Sequence, residues 1–329
     1  MTTPDPSRRS VLAGAASAVP ALVLSSAPAA IASSAAAPLD VGTATVPPTG
    51  THVVLLGTMG GPVLDPRRMM TGQAVVVDGR PYLVDCGYGT MERMTRAGLA
   101  PAGMKAIFIT HHHSDHNADY PALVHMAWIQ GIPQSIGVFG PPPMLRLHEA
   151  ALAFNREDTD IRIRATGRKP IEASFAVREL TEPGEIHRDD KVTVTAALVD
   201  HPPFAKAFAF RFDTPGRSIV VSGDTAPSDA LVALARGADV LVHEVLHIPS
   251  IDRMLAQRPY VPPTLRQFLL QGHTTPEECG HIAARAGVKT LVLSHIVPGN
   301  LTVPHETWLA EARKHFSGEV VVGTDLMVI

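Results

Sequence analysis

The chain has 329 residues, 45% hydrophobic and 18% charged, which is enough apolar material for a sizeable core and too much for general disorder. Its formal net charge is −3, with 28 Lys and Arg against 31 Asp and Glu, so no basic surplus points to nucleic acid. Two cysteines, Cys86 and Cys279, exclude a disulfide framework and a four-cysteine zinc site. A single bridge between them, allowed in an oxidising compartment, is not the expectation.

In chain order, the first segment reads as an address rather than as structure. Ser7-Arg8-Arg9-Ser10 carries an arginine pair, followed by a weakly apolar Ala/Val/Leu run that ends in the small residues Ala35-Ala36-Ala37. That order resembles a Tat export signal over residues 1–37, with 38–50 as a linker and 51–329 as the folded domain. Gly14, Pro20 and Pro28 interrupt the run and argue against a membrane-spanning helix.

Short Val/Ile/Leu-rich runs then read as buried strands at His52–Leu56, Ala74–Val77, Tyr82–Val84, Ala106–Ile109, Val192–Val199, Ala207–Phe212, Ser218–Val221, Val240–Val242, Leu291–Leu293 and Val320–Val322. Helical periodicity predicts helices at Met91–Ala97, Tyr120–Ile129, Met144–Phe154, Pro227–Ala235, Pro276–Ala286 and His305–His315. Strand-rich and mixed stretches alternate twice. This predicts an α/β (α+β) fold: a four-layer αββα sandwich, with two mixed sheets packed face to face and helices outside. Residues 155–190 show the least regularity, and their Arg156, Arg162, Arg164, Arg168 and Lys169 are expected on a solvated surface strand or loop.

The chemistry-bearing run is His111-His112-His113-Ser114-Asp115-His116. In an extended segment residues two apart face the same side, so His111 and His113 can share one point while His112 points away. Asp115 and His116 follow at a turn before a helix expected from about Asn117. One segment thus offers two ligands to each of two metal ions. Four ligands do not complete two sites, but three more ionisable residues end apolar strands: His201, Asp224 after Gly223, and His295. One such histidine is more often an ordinary buried residue. Three in this order behind the His-rich run are not. His125, His247 and His281 lack any partner pattern and read as ordinary helix or loop residues.

At this point a resemblance is plain. Leu56-Gly57-Thr58, Val84-Asp85-Cys86-Gly87, the run Thr110 to His116, Ser222-Gly223-Asp224-Thr225, His243-Glu244, Gly272-His273-Thr274-Thr275 and Ser294-His295 fall in the order seen in metallo-β-lactamase-fold hydrolases. The branch resembled is that of ribonuclease Z and the zinc-dependent arylsulfatases. The resemblance implies that His111, His113 and His201 hold one ion, that Asp115, His116 and His295 hold the other, and that Asp224 bridges them. It implies two divalent ions, zinc by expectation, with Mn2+ or Fe2+ as alternatives. Asp85 would orient a ligand histidine. Asp115, His273 and Glu244 form the expected catalytic set: Asp115 doubles as a ligand, and His273 acts as general acid oriented by Glu244.

Departures from the branch narrow the function. Ribonuclease Z carries a long tRNA-binding insertion between the residues matching His201 and Asp224, and Pro202–Gly223 is too short for it. The residues after Glu244, Val245-Leu246-His247, differ from the Ala-Thr usual there, so the pocket wall is expected to be specialised. The expected activity is hydrolysis of a small anionic ester by metal-activated water, with phosphodiester and aryl or alkyl sulfate fitting equally well. A lactonase of the same fold and a non-catalytic exported metal- or ligand-binding protein are the rivals. Expected partners are the small-molecule ester and the Tat export machinery, with no nucleic acid and no stable membrane insertion after signal cleavage. The expected location is periplasmic or secreted, and a homodimer is left open.

Overall fold

The structure is a computed structural model, and it describes residues 42–329 apart from Pro259 and Leu301. The expected signal segment, 1–37, lies outside the described residues, as does the linker as far as residue 41. No described helix is long and apolar enough to cross a membrane.

One sheet has six strands in the order β1 (Thr51–Gly57), β2 (Gly72–Val77), β3 (Arg80–Val84), β4 (Ala106–Phe108), β5 (Ile136–Gly140) and β6 (Phe175–Glu179). Its first three strands are antiparallel and the rest parallel. The second sheet runs β13 (Glu319–Val322), β12 (Thr290–Val297), β11 (Val240–Leu246), β10 (Ser218–Val221), β9 (Ala207–Asp213), β8 (Thr193–Val199) and β7 (Gly184–Arg188). Helices cover the outer faces: α1 (Thr90–Arg96), α3 (Tyr120–Gln130) and α4 (Met144–Phe154) on the first sheet, α6 (Asp229–Leu234), α9 (Pro276–Ala286) and α10 (His305–Ala312) on the second. The remaining helices are α2 (Ser114–Asn117), α5 (Arg156–Thr166), α7 (Ile248–Ala256) and α8 (Leu265–Gly272). The expected four-layer αββα sandwich is the observed fold.

Strand alternation produces the layers. Val53 and Leu55 point into the space between the sheets, while Val54 and Leu56 point outward beneath the helices. Between the sheets Phe108 stacks on Phe139 at 5.2 Å and meets Phe212 edge-on at 5.4 Å. These phenylalanines fix the sheet separation just below the strand ends that carry the ionisable residues.

The ten expected strands and six expected helices are all present; Ser218–Val221, Met144–Phe154 and Pro276–Ala286 keep their expected ends and the others are shifted. The region 155–190 differs from expectation, because it contains α5, β6 and β7. Helix α5 has a weak apolar stripe, which hid it, but ion pairs one turn apart support it: Arg156 with Asp160, and Arg162 with Asp158. The cations there are at least partly exposed, as expected, with Arg156, Arg162 and Arg164 on this helix and Arg168 and Lys169 on the loop that follows it. Arg156 also pairs with Glu172, and Arg168 lies over the Trp128 ring. Cys86 and Cys279 are free and buried.

Candidate metal centre

The site lies where strands of both sheets end. The extended residues after β4 carry His111 and His113, and α2 opens at Ser114 rather than near Asn117, which puts Asp115 and His116 in its single turn. His201 follows β8. Asp224 follows β10 through Gly223, whose φ of 60° and tight fit leave no room for a side chain: a Cβ there would lie 2.7 Å from the Phe208 carbonyl oxygen. His295 was expected just beyond a strand ending at Leu293. Instead it is a bulge inside β12: Glu244 pairs with Ser294 and Val245 with Ile296, leaving His295 unpaired at φ 42°. The bulge re-aims the side chain toward the cleft.

These elements bring all seven expected ligand residues together, in two clusters. In the first, His113 Nδ1 lies 3.0 Å from His111 Nε2 and 3.2 Å from His201 Nε2. In the second, His295 Nε2 lies 3.2 Å from both His116 Nε2 and Asp115 Oδ2. Asp224 stands between them. Its Oδ2 faces His111 and His201 at 3.9 and 3.8 Å, and its Oδ1 faces His116 and His295 at 3.3 and 3.2 Å. Each cluster keeps its ligand atoms within 4.8 Å of one another.

The donor set fits divalent cations. Nitrogens bound at 2.0–2.1 Å to a tetrahedral zinc stand roughly 3.3 Å apart, close to the observed spacings. Converging lone pairs repel unless a cation or proton lies between them, and Asp224 Oδ1 is buried with no hydrogen-bond partner.

Outer contacts fix which nitrogen faces inward. Asp85 Oδ2 lies 2.8 Å from His116 Nδ1, and the same carboxylate accepts hydrogen bonds from the Thr110 backbone N–H and hydroxyl. Thr110 Oγ1 is 3.1 Å from His111 Nδ1, and the Gly272 carbonyl is 2.8 Å from His201 Nδ1. The Gly61 N–H donates to Asp115 Oδ2 at 2.7 Å. Thus His111, His116 and His201 each present Nε2 inward, whereas His113 presents Nδ1.

Burial and charge set the protonation balance of the protein groups alone. Burial, aided by the positive charge of His116, holds His111 well below the usual imidazole range, and burial brings His201 down to about 4. Burial opposes charge on His116, but the carboxylates of Asp224, Asp85 and Asp115 raise it well above. Burial also opposes ionised Asp224, and the neighbouring His295 and His116 nevertheless hold it well below its ordinary value. Burial likewise opposes ionised Asp115, and His116 and His295 hold it below its ordinary value, so both carboxylates of the clusters are held ionised.

Beside the clusters, His273 Nδ1 lies 3.2 Å from Glu244 Oε2, and its ring is parallel to that of His295 at 5.8 Å. Burial resists protonation of His273, but Glu244, with Asp224 and Asp115, raises it to about 9. Glu244 also accepts the backbone N–H groups of Thr274 and Thr225, which fixes its carboxylate. His273 can join Asp224 and His295 around one point, so its position serves either a ligand or an acid. His112 turns away and bonds the Pro141 carbonyl at 2.8 Å. His125 pairs with Asp158, His247 with Ser250, and His281 rests against His315, all away from the clusters.

Three features escaped the sequence reading. Phe204 meets the His113 ring edge-on at 4.6 Å. Gly61 holds Asp115. Helix α8 closes the pocket with Leu265, Phe268 and Leu269. Their spacing of three and four residues is a helical signal that was present in the sequence.

A beta-lactamase superfamily domain is matched over residues 80–296, and the chain belongs to that superfamily as a metallo-β-lactamase-fold hydrolase. Among its relatives, the ribonuclease Z of Mycolicibacterium paratuberculosis is 36% identical over 278 residues, which cover 84% of this chain and 96% of the relative. That of Mycobacterium tuberculosis is 34% identical over the same shares. Among solved structures, the metallo-beta-lactamase fold protein YhfI from Bacillus subtilis superposes with a TM-score of 0.61 at 22% identity, covering 85% of this chain and 98% of that one. Human tRNase Z, short form (ELAC1), gives 0.59 at 22% identity, covering 84% and 98%. These two show the fold.

Proposed function

We propose that this chain is a phosphodiesterase that uses two divalent metal ions on a small anionic ester. The carrying observation is that the two clusters share Asp224 through its separate oxygens and adjoin the His273–Glu244 pair. Two ions held there would lower the pKa of a bound water toward about 7 and offset charge on the ester oxygens. His111, His113 and His201 would hold one, Asp115, His116 and His295 the other, and Asp224 both. Zinc suits these imidazole and carboxylate donors, with Mn2+ or Fe2+ as alternatives.

The protein's own groups account for the remaining steps. Asp85, Thr110 and the Gly272 carbonyl hold the ring orientations, so little reorganisation accompanies binding. His273, kept protonated by Glu244, donates its proton to the leaving oxygen. Phosphodiester is preferred over sulfate ester because relatives matched along nearly their whole length carry the name ribonuclease Z.

That name also supports a second reading, RNA. Between His201 and Asp224 the chain holds only β9, β10 and their turns, with no arm. Yet the 278-residue match covers 96% of the mycobacterial relative and leaves no large segment of it outside. The short connection alone therefore does not separate the readings.

The test is turnover by full-length zinc-loaded protein on bis(p-nitrophenyl) phosphate, p-nitrophenyl sulfate, a lactone panel and a precursor tRNA. Chelator-sensitive hydrolysis of the phosphodiester is expected. Faster cleavage of the tRNA would favour RNA, preference for the sulfate or a lactone would replace the ester class, and no turnover would favour an exported metal- or ligand-binding protein. Export remains part of the proposal, with residues 1–37 as the Tat signal. N-terminal sequencing of protein recovered outside the cytoplasm checks it.

A further inference from the structure

The cavity over the metal clusters has a volume of about 240 Å³. Its floor is His113, Asp115, Asp224, His273 and His295, and its opposite wall is Pro62, Leu265, Phe268, Leu269 and Val297. Among the described residues no Lys or Arg lines it. The Phe268 ring stands edge-on to His113 at 6.1 Å, and behind the ligand residues Phe204 stacks parallel to His201 at 5.9 Å.

This wall is held in register with the clusters. Helix α8 ends at Gly272, whose carbonyl contacts His201 Nδ1, and a Cβ on Gly272 would lie 2.9 Å from that nitrogen. The next residue is His273. Beside the pocket α8 also packs through Leu269 and Leu270 against Leu246, Ile251, Met254 and Val297. Leu246 lies two residues after Glu244 on β11, so the strand that carries Glu244 also supports this wall. Leu265, Phe268 and Leu269 remain only half-buried, although they face the pocket.

Resting on the phosphodiesterase reading, we infer that α8 is the specificity-determining element, and that the leaving group it accepts is a single apolar aryl or branched alkyl group. His273 lines the same cavity, so a group beside the wall sits next to its imidazole. An anionic ester centre would be met at the floor by the ions held there, whereas a further phosphate against the wall would lose its water with no Lys or Arg among the described lining residues to replace it. The volume lies below the ~300–1,000 Å³ usual for drug-sized ligands, which limits the occupant to one ring or its equivalent. An apolar wall with Phe268 at its centre rewards such a group.

The experiment measures binding, not turnover, so it is independent of whether any ester is cleaved. Calorimetric titration of full-length zinc-loaded protein compares phenylphosphonate, methylphosphonate and a short 3′-phosphorylated oligoribonucleotide. Phenylphosphonate should bind at least about tenfold more tightly than methylphosphonate. Phe268→Ala should remove most of that ratio, with methylphosphonate reporting the metal end alone as internal reference. Leu265→Ala, at the first turn of α8, should lower the ratio less and guards against misfolding of the first variant. Equal affinities, a ratio indifferent to both substitutions, or tighter binding of the oligoribonucleotide would overturn the inference. Loss of phosphodiester turnover with the phenyl preference intact would instead overturn the phosphodiesterase reading and leave the wall standing.

Discussion

On the metal side of the pocket, His111, His116 and His201 each have their outward nitrogen engaged by Thr110, Asp85 or the Gly272 carbonyl. On the α8 side, Leu265, Phe268 and Leu269 meet the same cavity half-exposed, held by apolar packing. The first side is a polar network whose geometry depends on several elements at once, so single changes there should propagate. The second is one helix face, where a change alters shape and apolar area locally.

The largest effect should come from Asp224→Ala, because one residue serves both clusters. Metal analysis should find close to two ions per chain in the parent and a clear loss in the variant, with turnover down by about 10⁴-fold or more. A fully loaded, active variant would refute the shared role. His273→Ala tests the adjoining acid. It should retain metal and lose about 10²–10⁴-fold in kcat for poor leaving groups, and much less for p-nitrophenol. Equal losses across leaving groups, or lost metal, would make His273 a ligand instead.

Asp85→Asn should have a smaller consequence, since Asp85 acts through His116. Metal affinity should fall by about 10–100-fold, measured by competition with a chelator. The least dramatic change concerns pH. Protonated His273 is the acid, so the rate should fall as pH rises through its pKa, which Glu244 and its neighbours raise to about 9 before any opposing effect of bound cations. Removing the Glu244 charge lowers that pKa. The alkaline limb of the pH–rate profile should therefore move to lower pH in Glu244→Gln, and an unmoved limb would separate the two residues.

Much of this was legible in the chain itself. His111, His113, Asp115 and His116 are close in sequence, so local geometry alone nearly brings them together. His201 and Asp224 were recognisable because an ionisable residue ending an apolar strand is costly unless something uses it. Helix α5 was not legible, because its support comes from charge pairs one turn apart rather than from an apolar stripe. The α8 wall carried a helical signal, but nothing in 265–269 says which cavity that face meets.

The sequence by itself determined the layered fold, through strand and helix periodicity, and the candidate ligand residues, through residue chemistry at strand ends. Only the tertiary structure decided how those groups are aimed. The bulge at His295 exists because β12 must pair with β11 on both sides of it, and the split of Asp224 between two clusters depends on both sheets ending at one level. The apolar wall depends on where α8 docks. Each of these follows from pairings between residues distant in the chain, which periodicity and spacing do not encode.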